Sequence, residues 1–118
     1  MKKILIVEDE DRMREIYKRL LTYEGFGVFD ASGVQAAIEI IIREGIDLVL
    51  LDINLPGVDG SCLNKIIRSL DMGLKVITTS VLPLDEQKRL ITNASDYYDK
   101  SQGIELLLTK VKEAFKNG

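Results

Sequence analysis

Short apolar runs alternate along the chain with longer stretches in which apolar residues recur every three or four positions. The longer stretches predict a helix after each short run, with Gly25 and Gly45 ending the first two helices. Pro56-Gly57 predicts a loop before the third helix, for which Asp59 or Ser61 is the candidate cap. The short runs predict five strands, which cover Lys3–Val7, Phe26–Ala31, Leu48–Asp52, Lys75–Thr79 and Asp96–Asp99.

This alternation of strand and helix predicts an α/β fold. The expected architecture is a doubly wound five-stranded parallel sheet of order 2-1-3-4-5, flavodoxin-like, with helices on both faces. The chain has 118 residues and shows no internal repeat, low-complexity tract or interdomain linker. We therefore expect residues 1–118 to form a single domain, which at this size can bury a core without disulfides.

The composition argues against several classes of function. A net charge of −3 disfavours nucleic acid or an anionic membrane as a direct partner. The chain has a single cysteine and no visible targeting or membrane-spanning segment, so we expect a cytoplasmic location. Histidine is absent, which excludes histidine-based catalysis and a role as a phosphohistidine carrier.

Carboxylates directly follow or end two of the predicted strands. Glu8 and Asp9 follow the first strand, and Asp52 ends the third. These two strands are neighbours in the predicted order, so the three acids should meet at the sheet edge where open α/β folds bind ligands. Carboxylates this close need a shared proton or a divalent cation, and Mg²⁺ prefers such oxygen ligands. Glu10 and Asp11 are typical of a solvated helix start.

Two further polar residues close the next strands. Ser80 follows the fourth strand and Lys100 follows the fifth. Taken alone, a serine here is typical of a turn and a lysine is usually solvated. Together they place a hydroxyl donor and a cation at the same edge of the sheet as the acids.

These residues and their spacing resemble the receiver domain of two-component response regulators, and the resemblance extends along essentially the whole length of the chain. The matching segments are residues 4–10, 47–60, 76–80 and 96–100, of which 47–60 is the most specific. The resemblance implies a phosphorylation-dependent signalling switch that uses Mg²⁺. The phosphoryl donor would be a sensor histidine kinase, a phosphotransfer protein or a small phosphodonor. Such a domain is not an enzyme beyond self-catalysed phosphotransfer and dephosphorylation, and its output surface would be the fourth helix, fifth strand and fifth helix.

The resemblance also implies roles for individual residues. Asp52 matches the phosphoacceptor, while Ser80 and Lys100 match the groups that bind the phosphoryl oxygens. Tyr97 matches the aromatic residue that changes rotamer on activation, although by itself it is typical of a strand tyrosine packed on a helix. The implied metal site consists of Asp9, Asp52 and the main-chain carbonyl of Asn54 as direct ligands, with Glu8 acting through a water.

Three positions depart from the family pattern. Ser101 stands where receivers usually carry a proline after a cis bond, so we expect a trans bond and a changed direction of Lys100. Val81 stands where the family prefers a very small residue, and its bulk predicts slow phosphotransfer, slow dephosphorylation or both. Asn93 replaces a glycine, a mild change because asparagine tolerates positive φ.

Alternative functions remain open at this point. A pseudo-receiver would keep the fold and bind partners without phosphorylation, an interpretation favoured by Ser101 and Val81. A magnesium-dependent phosphohydrolase or nuclease would typically have an acid where Asn54 stands. A flavodoxin-type electron carrier is disfavoured because the acidic residues 8–11 would repel a flavin phosphate.

Overall fold

The computed structural model describes residues 1–55, 60–70 and 73–116, without the side chains of residues 60 and 61. No helix in these ranges combines the length and apolarity needed to cross a membrane. The elements in chain order are β1 (Lys3–Val7), α1 (Asp11–Tyr23), β2 (Gly27–Ala31), α2 (Val34–Glu44), β3 (Leu48–Asp52), α3 (Gly60–Ser69), β4 (Lys75–Ser80), α4 (Leu84–Leu90), β5 (Asp96–Asp99), a 3₁₀ turn (Lys100–Gln102) and α5 (Ile104–Lys116).

The five strands form one parallel sheet of order β2-β1-β3-β4-β5, which confirms the predicted fold class. β1, β3 and β5 have the predicted bounds, while β2 begins one residue later than predicted and β4 ends one residue later. The loop predicted at Pro56-Gly57 and the candidate cap Asp59 lie outside the described residues, as does the side chain of Ser61.

Each strand sends alternate side chains to opposite faces of the sheet, so two separate apolar cores form. One core packs Leu5, Val49 and Val76 of the sheet against α2 and α3. The other packs Ile6, Leu50 and other residues of the sheet against α1 and α5. β3 is buried along its whole length because it lies at the centre of the sheet and is covered on both faces.

The register of the strands decides which polar residues meet at the carboxyl edge. Val7 of β1 pairs with Leu51 of β3, so the residues that follow them, at positions 8 and 52, lie side by side. Asp52 in turn pairs with Thr79 of β4, and Ser80 pairs with Asp99 of β5. The polar residues at the ends of β1, β3, β4 and β5 therefore lie close together in space along this edge.

Two glycines end helices as predicted. Gly45 caps α2 with φ 64°, a left-handed conformation that residues with a Cβ adopt at a cost. Gly25, one residue beyond the cap of α1, has φ 94°. The helices carry the chain back to the amino edge of the sheet, and these two turns reverse its direction there, so that the next strand runs parallel to the last.

Candidate functional site

The structure brings together the three carboxylates that the sequence placed at the ends of β1 and β3. Ligand oxygens of Glu8, Asp9 and Asp52, called the acidic cluster below, all lie within 4.8 Å of one another. Glu8 is 1% exposed and Asp52 is 3% exposed, whereas Asp9 faces solvent. Two of the three acids are thus buried beside one another, an arrangement that costs free energy unless a cation or a proton is present.

Lys100 supplies a cation to the acidic cluster. Its Nζ lies 2.8 Å from Glu8 Oε1 and 3.4 Å from Asp52 Oδ2. The lysine side chain is itself only 12% exposed, so water screens these contacts weakly.

The turn that carries Lys100 lacks the proline and the cis bond of the family pattern, and the lysine still reaches the acidic cluster. The described peptide bonds are all trans, as expected at Ser101. Asp99 Oδ1 accepts hydrogen bonds from the Ser101 backbone N–H at 2.9 Å and from its hydroxyl at 2.8 Å. Gln102 completes a capping box on the same 3₁₀ turn. Side-chain hydrogen bonds therefore hold a turn that lacks the usual proline, and Lys100 nevertheless reaches the acids.

The pKa values of this site reflect burial and charge together. The pKa of Glu8 is raised to about 7, mainly by desolvation; Lys100 lowers this pKa and the nearby Asp52 raises it. Burial lowers the pKa of Lys100, but its hydrogen bond to Glu8 and the charges of Asp52 and Glu8 outweigh burial, so the pKa is raised overall. The lysine therefore stays charged at neutral pH, and the site readily takes up one more positive charge.

The chemistry of the donor set fits Mg²⁺. Three carboxylates offer hard oxygen ligands from one small region, and the exposed Asp9 leaves one side of the cluster open to solvent. The three carboxylates can together carry more negative charge than Lys100 alone balances. The proposed third direct ligand, the main-chain carbonyl of Asn54, stays a prediction.

Ser80 and Asn54 border Asp52 on the β4 side. The Asn54 backbone N–H donates to Asp52 Oδ1 at 3.0 Å, and its side-chain Nδ2 donates to Ser80 Oγ at 3.3 Å. The Leu82 N–H also donates to Ser80 Oγ, at 3.1 Å. Because the serine oxygen accepts both bonds, its own hydroxyl proton is available to another acceptor. Ser80 is completely buried, whereas the neighbouring Val81 is 72% exposed.

Tyr97 lies on β5 beside Thr78 of β4. Its hydroxyl donates to the carbonyl of Ile91, directly after α4, and its ring is half-buried. The tyrosine therefore contacts the end of α4 in this structure. Its proposed change of rotamer stays a prediction.

Gln87 of α4 is a buried polar residue that sequence reasoning missed. The side chain is completely buried and bonded to Thr78, to the carbonyl of Leu82 and to the carbonyl of Tyr98. One signal was available, because Gln87 lies three residues after Leu84 and four before Ile91, on the side of the helix that faces the sheet. A glutamine in a short helix is more often solvated, so the spacing alone was a weak signal.

Comparisons with known proteins agree with this geometry. The response regulator receiver domain family matches residues 4–112. The chain is 30% identical over 117 residues to transcriptional regulatory protein YxdJ of Bacillus subtilis, a match covering 98% of the chain and 51% of that protein. It is 32% identical over 116 residues to a cyclic di-GMP phosphodiesterase of Thermotoga maritima, covering 97% of the chain and 31% of that protein. The chain thus spans about half of one of these curated relatives and about a third of the other.

A solved structure shares both the fold and the sequence pattern. It is the response regulator protein TrrA from Thermotoga maritima in complex with Mg²⁺-BeF, with a TM-score of 0.87 and 32% identity. The match covers 96% of this chain and 98% of that one. Since the family match extends over residues 4–112 and the predicted sheet order is observed, the chain belongs to the response regulator receiver domain family.

Proposed function

We propose that this chain is a phosphorylation-dependent signalling domain in which Asp52 is the phosphoacceptor and Mg²⁺ is the cofactor. The observation that carries the proposal is the environment of the Asp52 carboxylate. Its Oδ1 accepts the Asn54 N–H at 3.0 Å, its Oδ2 lies 3.4 Å from Lys100 Nζ, and two further acids lie within 4.8 Å. This combination suits a buried nucleophile next to a metal site.

The residues divide the chemistry of phosphoryl transfer among them. A carboxylate oxygen of Asp52 attacks phosphorus, an acyl phosphate bond forms, and the bond to the donor's nitrogen or oxygen breaks, with its electron pair leaving on the donor. Glu8, Asp9, Asp52 and the main-chain carbonyl of Asn54 would hold the metal. When bound, Mg²⁺ supplies charge neutralisation and orientation for the incoming phosphoryl group.

Lys100 and Ser80 are proposed to bind the transferred phosphoryl group. Lys100 Nζ already lies beside Asp52, so it can pair with a phosphoryl oxygen there after only a short movement. The Ser80 hydroxyl proton can donate to a second phosphoryl oxygen, since both described bonds at its oxygen are accepted ones. Water attacking the acyl phosphate would later return the domain to its resting state.

The donor must bring its own activated phosphoryl group, because this chain contains no histidine. We propose a sensor histidine kinase or a phosphotransfer protein as the partner, with small phosphodonors as substitutes. Residues 1–118 would act as one receiver domain whose own catalysis is limited to its phosphorylation and dephosphorylation. The surface of α4, β5 and α5 would carry the output, with Tyr97 changing rotamer.

The test is the intact mass of the protein after incubation with acetyl phosphate and Mg²⁺. We expect a gain of one phosphoryl group that is lost in EDTA and in Asp52→Asn. Asp85→Asn, an exposed aspartate on α4, is the matched control and should gain the group as the wild type does. No gain in the wild type would instead favour a pseudo-receiver that docks partners without phosphorylation.

A further inference from the structure

α4 is attached to the rest of the domain through a polar side chain. The helix has seven residues, Leu84–Leu90, and Gln87 is the only one of them that is buried. Neither of the two apolar cores, as far as the described residues define them, includes a residue of α4. Within α4 itself, the fully buried contacts are therefore directional hydrogen bonds rather than apolar packing.

The carboxamide of Gln87 joins three segments of the chain. Its Nε2 donates to the Leu82 carbonyl at 2.9 Å and to the Tyr98 carbonyl at 3.0 Å, and its Oε1 accepts from Thr78 Oγ1 at 2.8 Å. The orientation of the amide is fixed by its partners, because a flipped amide would turn Oε1 toward two carbonyl oxygens. All these groups are buried or partly buried, so breaking the bonds leaves them unsatisfied.

One residue connects Gln87 with the candidate phosphorylation site. Leu82 donates its N–H to Ser80 Oγ at 3.1 Å and offers its carbonyl to Gln87 at 2.9 Å. Leu82 therefore links the Ser80 hydroxyl, through its N–H, to the buried Gln87 amide of α4, through its carbonyl. When Ser80 turns toward a phosphoryl oxygen, the Leu82 N–H must follow it or lose its bond.

We propose that Gln87 is a positioning residue that couples phosphoryl binding at Asp52 to the position of α4, through Leu82 and Ser80. The coupling rests on the proposed function, since it needs a phosphoryl group that Ser80 can bind. It goes beyond that function because it assigns the transmission of the signal to one buried amide. Gln87 does not contact the acidic cluster in the described structure, so its loss should leave phosphoryl binding intact.

Hydrogen exchange with and without beryllium fluoride and Mg²⁺ tests the coupling. The reporters are the amides of Gln87 and Ile91, which donate to the carbonyls of Pro83 and Gln87. In the wild type we expect their protection to change by about tenfold on addition of Mg²⁺ and beryllium fluoride, within the usual range of coupling between sites. In Gln87→Met, which keeps side-chain length but forms none of the three bonds, the change should fall to about twofold or less.

The ratio of amide protection with and without beryllium fluoride and Mg²⁺ distinguishes coupling from simple structural support. If Gln87 only stabilises the fold, Gln87→Met lowers protection equally in both states and the wild-type ratio persists, which would overturn the proposal. Gln35→Met, at an exposed glutamine on α2, is the matched control and should keep the wild-type ratio. Should Gln87→Met not fold, Thr78→Val removes only the bond to Oε1 and should give an intermediate ratio; an unchanged ratio there would equally overturn the coupling.

The same experiment distinguishes failure of the coupling from failure of the proposed function. If the wild type binds beryllium fluoride with Mg²⁺ but its α4 amides do not respond, the coupling alone is wrong. If the wild type neither binds beryllium fluoride nor gains mass from acetyl phosphate, the proposed function is wrong and the coupling falls with it.

Discussion

Replacing Lys100 with methionine removes the only cation that, within the described residues, forms an ion pair with a carboxylate of the acidic cluster. Lys100 Nζ lies 2.8 Å from Glu8 Oε1 and 3.4 Å from Asp52 Oδ2, and both acids are buried. Methionine retains most of the apolar stem, so the substitution tests charge more than packing. We expect the metal-free protein to lose stability, and to lose more of it at high pH.

The size of the loss follows from the two contacts. At an effective dielectric of about 20, each contributes about 5 kcal/mol of attraction, much of it offset by the cost of burying the lysine. Removing one member of a buried ion pair typically costs about 3–5 kcal/mol, and proton uptake by Glu8 limits that cost. We therefore expect a loss of about 3 kcal/mol at pH 8, which lowers Tm by about 10 °C in a domain of this size.

The pH dependence of this loss has a definite sign. Burial raises the pKa of Glu8 to about 7, so at pH 5 the side chain is largely protonated and has less need of a cation. The loss in Lys100→Met should accordingly shrink by about 1 kcal/mol, to about 2 kcal/mol at pH 5. Above pH 7 the wild type ionises Glu8 beside Lys100, whereas Glu8 in Lys100→Met keeps its proton to higher pH, so the loss grows as the pH rises.

Urea unfolding in EDTA, followed by circular dichroism at pH 5 and pH 8, measures both values. Lys65→Met, at an exposed lysine on α3, is the control and should change stability by about 0.5 kcal/mol or less. Adding Mg²⁺ at about 100 times its Kd should return about 2.7 kcal/mol to Lys100→Met. Equal stability of Lys100→Met and the wild type at pH 8 would refute the electrostatic reasoning.

Three further predictions concern the same edge of the sheet. The folded protein keeps a proton on Glu8 up to pH of about 7, whereas the unfolded chain releases it near pH 4.5, so metal-free stability should fall by about 1–3 kcal/mol between these values. Glu8→Gln should remove this dependence of stability on pH in urea titrations. If the dependence persists in Glu8→Gln, a group other than Glu8 causes it. Val81→Ala should accelerate formation or hydrolysis of the acyl phosphate in mass-resolved time courses, because an exposed branched side chain follows Ser80; unchanged rates in both steps would contradict the steric argument. Asp99→Ala should slow phosphorylation by acetyl phosphate by loosening the turn that carries Lys100, and a wild-type rate would show that the turn needs neither bond.

The sequence predicted the sheet and the gathering of its polar strand ends because both depend on repeated local signals. A buried parallel strand is apolar along its length, so the carboxylates after β1 and at the end of β3 mark one edge of the sheet. The strand order then places Glu8 beside Asp52 without any knowledge of side-chain contacts.

Other features of the site depend on contacts that no local pattern reveals. The missing proline at Ser101 pointed to a trans bond, but it gave no sign of the hydrogen bonds from Ser101 to Asp99 that hold the turn. Gln87 was missed because its partners come from β4, from the following loop and from β5, and only the folded chain brings these together. Strand bounds could be predicted to within one residue, whereas buried polar partners could not.

The separation of α4 from both apolar cores has an evolutionary consequence. Six of its seven side chains are at least partly exposed, and Gln87 is its one buried side chain. Sequence drift at the exposed positions of this helix should therefore cost the domain little stability. A lineage that retained the amide would be free to acquire new recognition partners, and a library randomised at the other six positions should yield folded variants at high frequency.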